Sequence, residues 1–267
     1  MIDPANALES PARYRWLLAA FTRREVMNRY AGSVSGLAWT LLHPLAQLAI
    51  FAFVFSQVFR AGVPAEFASV NYTSFVAVAL WPWIMFSEAL SRGSSAVTAN
   101  AGLIRKVAFP HRLLVYSTVL AGYCVHLVGF LVVLVVLRAM GEGIHLSTIP
   151  VALVLLLPYL AFATGLAAFL AALQALMRDV EHGIGIALTI GFYATPILYP
   201  ASILPEGVRA WVQASPPAYF SQRMREVLIQ GSGFAVGDLV AAAICLAVFF
   251  LGLWFFNRLA PHFEDFV

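Results

Sequence analysis

Six long apolar runs dominate this chain, at approximately residues 37–59, 72–90, 113–137, 149–177, 183–199 and 236–256. Each is near the roughly 20 residues that a helix needs to cross a hydrocarbon core. Backbone at membrane depth has no water to bond, so it must satisfy its own polar groups, as a helix does. Only 11% of the residues are charged, against about 25% in a soluble domain. Such a chain has too few charges to cover a water-facing surface. The expectation is an all-α integral membrane protein built as one transmembrane domain over 1–267, without an internal repeat, a low-complexity tract or a second soluble domain.

The segments between the runs set the topology. Residues 1–11 are polar, with two prolines and no apolar core of a signal peptide. Over 12–31, Tyr14, Leu17, Leu18 and Phe21 recur at i, i+3, i+4 and i+7, with Arg13, Arg15, Arg23, Arg24 and Arg29 around them. This predicts an amphipathic helix in the cytoplasmic interface, its arginines reaching lipid head groups. A soluble cytoplasmic helix is the alternative. With the N-terminus inside, eleven basic residues fall in cytoplasmic segments and five in outer ones, which places both termini in the cytoplasm. The net charge of +3 is therefore read as a topology signal and not as a nucleic-acid footprint. Pro82 predicts a kink in the second run, and Pro196 and Pro200 predict broken helix at the end of the fifth.

The outer segment 201–235 is neither a polar loop nor a span. Ile203, Leu204, Val208, Trp211 and Val212 have helical spacing, and Val227, Leu228 and Ile229 form a second apolar patch. Two short helices, broken at Pro216-Pro217, would dip into the outer leaflet and return. Such backbone is tolerated where protein or a water-filled cavity surrounds it, so this loop is expected to line or cap a pathway. A loop lying on the membrane surface is the alternative.

Several chemistries are excluded. Lys106 is the only lysine and does not sit in a P-loop, so this chain does not hydrolyse ATP by that route. Cys124 and Cys245 lie inside apolar runs without metal-ligand spacing. No carboxylate lies at mid-depth, which argues against a proton relay or a membrane-embedded transferase. Glu88, near a helix end, reads as solvated or paired, and His126 reads as bonded to a neighbouring helix.

The basic gap 95–110 remains. Val97, Ala101, Ile104 and Ala108 form a narrow apolar stripe, with Asn100, Arg105 and Lys106 away from it and Pro110 as a terminator. Such a stripe suits a groove on a partner protein. It suits equally a helix resting on the protein's own cytoplasmic face.

Five segments in order resemble the permease subunits of type-2 ABC exporters, and among them the polysaccharide exporters for O-antigen, capsule and teichoic acid. They are Arg29-Tyr30 with Gly36, Trp39 and Pro44; Trp81-Pro82-Trp83 with Phe86; the run from Asn100 to Pro110; Arg178-Asp179-Val180-Glu181-His182; and Thr195-Pro196-Ile197-Leu198-Tyr199-Pro200 with Leu204-Pro205. Ser215-Pro216-Pro217 departs from the family's usual Asn-Pro, and the tail after Asn257 is short.

The resemblance implies a homodimer served by two copies of a separate subunit that binds ATP and magnesium, with no cofactor and no catalytic residue in this chain. It implies a bacterial inner-membrane exporter of a lipid-linked polysaccharide, most plainly O-antigen. Asn100, Leu103, Ile104, Arg105, Lys106, Val107, Arg178, Asp179 and His182 would then contact the ATPase. Aromatic faces let a sugar polymer slide, which makes Trp81, Trp83, Phe192, Tyr193 and Tyr199 candidates to line the channel, with Leu204, Pro205 and Trp211 in the outer loop. Aromatic residues also gather at bilayer interfaces for unrelated reasons. The arginines of 12–31 could guide a pyrophosphate-lipid head group. Export of capsule, teichoic acid, a small amphiphile or a drug by the same kind of permease, a membrane-embedded transferase, and an anchor for a soluble enzyme are the competing readings.

Overall fold

A computed structural model describes residues 11–30, 36–60, 62–107 and 109–263. These are helical and contain no strand. The helices are α1 (Pro11–Tyr30), α2 (Gly36–Ala52, continued by a π-helical turn Phe53–Val58), α3 (Tyr72–Ser94), the single turn α4 (Ala101–Ile104), α5 (Arg112–Ala139), α6 (Ile149–Leu176), α7 (Val180–Ala194), α8 (Glu206–Ala214), α9 (Pro216–Leu228) and α10 (Val236–Leu259). The expected irregular start falls mostly on residues 1–10, outside the described residues, as do Ala108 of the stripe and the last four residues of the tail.

Among the described residues, four stretches are long and apolar enough to cross a membrane: Tyr72–Ser94, Arg112–Ala139, Leu146–Leu176 and Val236–His262. Two shorter apolar helices, Leu42–Val58 and Val180–Ala194, accompany them. The molecule is a multi-pass helical membrane protein.

Helix α3 is the axis of the bundle. It packs against α2, α5, α6, α7 and α9, and seventeen of its residues are buried. The Asn71 side chain starts it by accepting from the Ser74 N–H at 2.9 Å, and Glu142 holds Asn71 in turn through its backbone and side-chain nitrogens. The helix runs on through Pro82, where packing on neighbouring helices offsets the lost hydrogen bond.

The closest approach is between α6 and α10. A Cβ on Gly252 would lie 2.0 Å from the carbonyl oxygen of Gly165, and one on Gly165 would lie 2.3 Å from Cα of Phe249. Two bare backbones thus meet where no side chain fits, which is how helices associate in lipid, where burial of apolar surface supplies little force.

The fifth apolar run is shorter than its composition suggests. Helix α7 stops at Ala194 because Thr195, which precedes Pro196, is extended at φ −81°, ψ 132°. Fifteen residues span about 22 Å, less than the hydrocarbon core. The outer loop does hold two short helices, but the break falls at Ser215 (φ −74°, ψ 137°). Pro216 and Pro217 begin α9, where a missing N–H costs nothing, so they start a helix instead of breaking one.

Candidate functional site

Two turns protrude at one end of the bundle. The first follows α3 and the second joins α6 to α7, and the Thr98–Asn100 turn packs against α6. In the first turn the apolar stripe faces inward: Val97 and Ile104 are fully buried and Ala101 half-buried. It seals the protein's own bundle, so it is not a face offered to a partner. The helical part is also shorter than 95–110, being Thr98–Ile104, and it ends before Pro110. The outward surface carries Gly102, Arg105, Lys106 and Val107, with Leu103 partly buried. Asn100 accepts from Arg24 Nη2 at 2.9 Å and donates to Ala96 O, so α1 is tied to this turn. In the second turn Arg178, Asp179, Glu181 and His182 are all exposed.

The N-terminal arginines divide into two groups. Arg13, Arg15, Arg23 and Arg24 are exposed along α1, whose Tyr14, Leu17, Leu18 and Phe21 are partly buried. Arg112 lies over the Tyr14 ring at 5.4 Å, and burial raises the Tyr14 hydroxyl pKa above its ordinary value while Arg112 opposes that shift. Arg29, expected at the head groups, turns inward with a side chain only 4% exposed. Its Nη1 pairs with Glu88 Oε1 at 2.5 Å and its Nη2 donates to Thr118 O at 3.1 Å. Glu88 also bonds His126 and lies 3.3 Å from Arg92 Nε. A carboxylate inside the bundle draws a cation inward because neither can be left alone at low dielectric.

This cluster forms one wall of a cavity of about 510 Å³, whose other walls include Trp39, His43, Gln47, Ser87 and Ser91. Glu88 is its only carboxylate among the described residues and is already matched by Arg29, Arg92 and His126. The remaining lining is rich in hydrogen-bond donors, an arrangement suited to phosphate oxygens or sugar hydroxyls. A second cavity, about 690 Å³ and almost wholly apolar, runs between α7 and the α3, α6 and α8 surfaces. Trp83 and Trp211 line it, with Gly183, Ala187 and Gly191 of α7.

The other aromatic candidates separate. Trp81 is fully buried, stacks on Phe130 and donates its indole N–H to His126 O at 3.1 Å, so it belongs to the core and not to a pathway. Phe192 is buried between Phe51 and Trp83. Tyr193 and Trp211 are exposed, at 62% and 82%. Leu204 is half-buried and Pro205 exposed, in the extended link that leads into α8.

A clamp on the segment that follows α7 was not foreseen. Arg225 of α9 is completely buried, and its hydrogen-bond partners among the described residues are backbone carbonyls and no carboxylate. Its guanidinium donates to Phe75 O at 3.1 Å, Pro196 O at 2.8 Å and Ile197 O at 2.6 Å, and lies 3.7 Å above the Phe75 ring. Tyr72 Oη donates to Leu198 O at 2.5 Å. Tyr199 Oη shares its proton between Tyr193 O at 2.7 Å and Ala194 O at 3.2 Å. The carbonyls freed where α7 unwinds are thus capped by side chains, as buried backbone requires. Nearby, Arg223 grips Asp238 at 2.8 Å and pairs with Glu226, and Tyr219 donates to Asp238 at 2.7 Å, which fastens α9 to α10. The available signal was two arginines in a short helix beside the apolar Val227–Ile229 patch, since charge at that depth must be paired or capped.

The described residues thus form a multi-pass helical bundle with two exposed turns, a polar cavity beside one of them and an unwound segment clamped by Arg225 after α7. The chain belongs to the ABC-2 type transporter family, which it matches over residues 17–229. It is 34% identical over 208 residues to the O-antigen export system permease protein RfbA of Myxococcus xanthus, covering 77% of this chain and 76% of that protein. Two proteins of the same name from Klebsiella pneumoniae are 27% and 28% identical over 251 residues, 93% of this chain and 94% of theirs.

Proposed function

We propose that this chain is the permease subunit of an ATP-driven exporter that carries a lipid-linked polysaccharide, O-antigen, across a bacterial inner membrane. The observation that carries the reading is its similarity, over most of both chains, to permeases named for O-antigen export. In this reading α2 with its π turn, α3, α5, α6, α7 and α10 cross the membrane. Helix α1 lies on the cytoplasmic surface, α8 and α9 enter the outer leaflet and return, and both termini are cytoplasmic.

Two copies pair about a two-fold axis and enclose the pathway between them. The exposed faces indicate which side turns inward. Helix α10 presents Leu239, Val240, Phe250, Leu251 and Trp254, a surface for lipid. Helix α7 presents Gly185, Thr189 and Tyr193 beside the apolar Ile186 and Ile190, and α2 presents His43 among Trp39, Leu42 and Ile50. Small and polar groups at membrane depth suit a partner or a wet pathway. Tyr193, Trp211 and Tyr199 would touch the glycan there, and the donor-rich cavity beside Glu88 would take the anionic head of the lipid carrier.

Two copies of a separate ATPase, which hold the ATP and magnesium, dock on the surface formed by Gly102, Arg105, Lys106 and Val107 and on loop 178–182. Because the stripe is internal, the test uses the outward charges. A chain carrying Arg105→Glu, Lys106→Glu and Asp179→Arg should elute as a folded dimer yet fail to co-purify with the ATPase or stimulate its hydrolysis. Undiminished stimulation counts against this docking surface. ATP-dependent movement of glycan into vesicles by the purified complex tests the transport reading itself, and its absence would overturn it.

A further inference from the structure

Helix α7 is held very differently at its two ends. At its outer end, the segment Thr195–Leu198 is buried and its carbonyls are fixed by Arg225 and Tyr72. At its other end, Asp179 makes no side-chain cap, and Glu181, His182 and Gly183 are exposed. In between, only Ile184 and Phe192 are buried, and the apolar cavity of about 690 Å³ runs beside the helix. The α7 residues lining that cavity include Val180, Ile184 and Leu188 with the small Gly183, Ala187 and Gly191; Gly183, near the unpinned end, has nothing within 4 Å of its Cβ position, while Gly191, near the pinned end, lies close against Trp83.

The Arg225 contacts fix a point and not merely a surface. Three backbone carbonyls from two elements converge on one guanidinium, and a planar fork of five donors holds such a set in one geometry. No carboxylate competes for it, so rearranging the clamp would leave a buried cation and several carbonyls unmatched at once. The free end has no such tether; Gln174 Nε2 reaches Glu181 only at 3.4 Å.

We propose that Arg225 is a positioning residue that pins the outer end of α7, so that force on loop 178–182 tilts the helix about Pro196-Ile197 instead of sliding it through the membrane. The tilt closes or opens the apolar cavity and changes the width of the pathway at the cytoplasmic side first. This rests on the transport reading above, in which an ATPase pushes on that loop.

Distance measurements between paired spin labels test it in the complete complex with its ATPase. Native Cys124 and Cys245 are first replaced by Ser and Ala. One label is then placed at Val128 of α5, and a second at either Gly185 or Ala194 of α7. The pivot predicts that trapping ATP shifts the Val128–Gly185 distance and leaves the Val128–Ala194 distance unchanged. Arg225→Met should broaden and shift the Ala194 distribution. Arg225→Lys, which keeps the charge but not the fork, should give an intermediate result. Equal shifts at both ends, or no shift at either, overturn the pivot, as does an unmoved Ala194 distance in Arg225→Met. The two wild-type distances decide the matter even if Arg225→Met does not fold. Polysaccharide export is followed in the same preparations, so a failed pivot with continuing export leaves the transport reading intact, whereas lost export would count against that reading.

Discussion

Glu88 holds three bases at once, and the balance of this cluster is a residue-scale property. Removing the carboxylate leaves the buried Arg29 with only Glu25, 3.8 Å from its Nε, to answer its charge, so the loss lies below the about 3–5 kcal/mol of a fully stranded buried charge. Glu88→Gln should therefore lower the unfolding midpoint in detergent sharply. Glu88→Gln combined with Arg29→Gln should recover much of the loss, because a neutral pair carries no stranded charge. A double variant as unstable as the sum of the two singles would disprove that coupling. Arg225 offers no such rescue, since its partners are backbone carbonyls. Arg225→Met should cost on the order of 3 kcal/mol or more by leaving those carbonyls unpaired, read as the same midpoint. The sequence made Glu88 and His126 legible as a paired helix-end carboxylate and a helix-bonded histidine. It left Arg29 and Arg225 illegible, because an arginine's stem reaches equally well to lipid head groups or into a core.

At the scale of elements, the helices were legible wherever length and hydropathy agreed, as in α3, α5, α6 and α10. They were less so where one backbone feature intervened. The break expected from Pro196 at the end of the fifth run falls at Thr195, the residue before it, whereas the extended Ser215 put the second break one residue ahead of two prolines that start a helix. The stripe of Val97, Ala101 and Ile104 was correctly seen as one face, but periodicity does not say whether a face meets a partner or its own bundle. The α6–α10 contact was also hidden, since glycines mean close approach only once the facing backbone is known. Gly252→Ala should force these helices apart and cost about 1–3 kcal/mol. Gly207→Ala, where nothing lies within 4 Å, should change the unfolding midpoint little. Equal effects at the two sites would show that the crossing is not tight.

At the scale of the whole molecule, the faces of α7 and α10 predict different solvents. In inverted vesicles and intact cells treated with a membrane-impermeant thiol reagent, Thr189→Cys should react and Leu251→Cys should not, each in the cysteine-replaced background. Protection of Thr189→Cys together with labelling of Leu251→Cys would reverse the assignment of pathway and lipid sides. The tight crossing of α6 and α10 has a bearing on how such a molecule is made. Helix α6 ends sixty residues before α10 begins, yet its bare Gly165 groove fits nothing earlier in the chain as closely. Until α10 is inserted, that groove must face lipid or a stand-in helix. Completion of the fold is therefore a late event in synthesis, and the open or filled state of the α6 groove is what separates an unfinished subunit from a finished one.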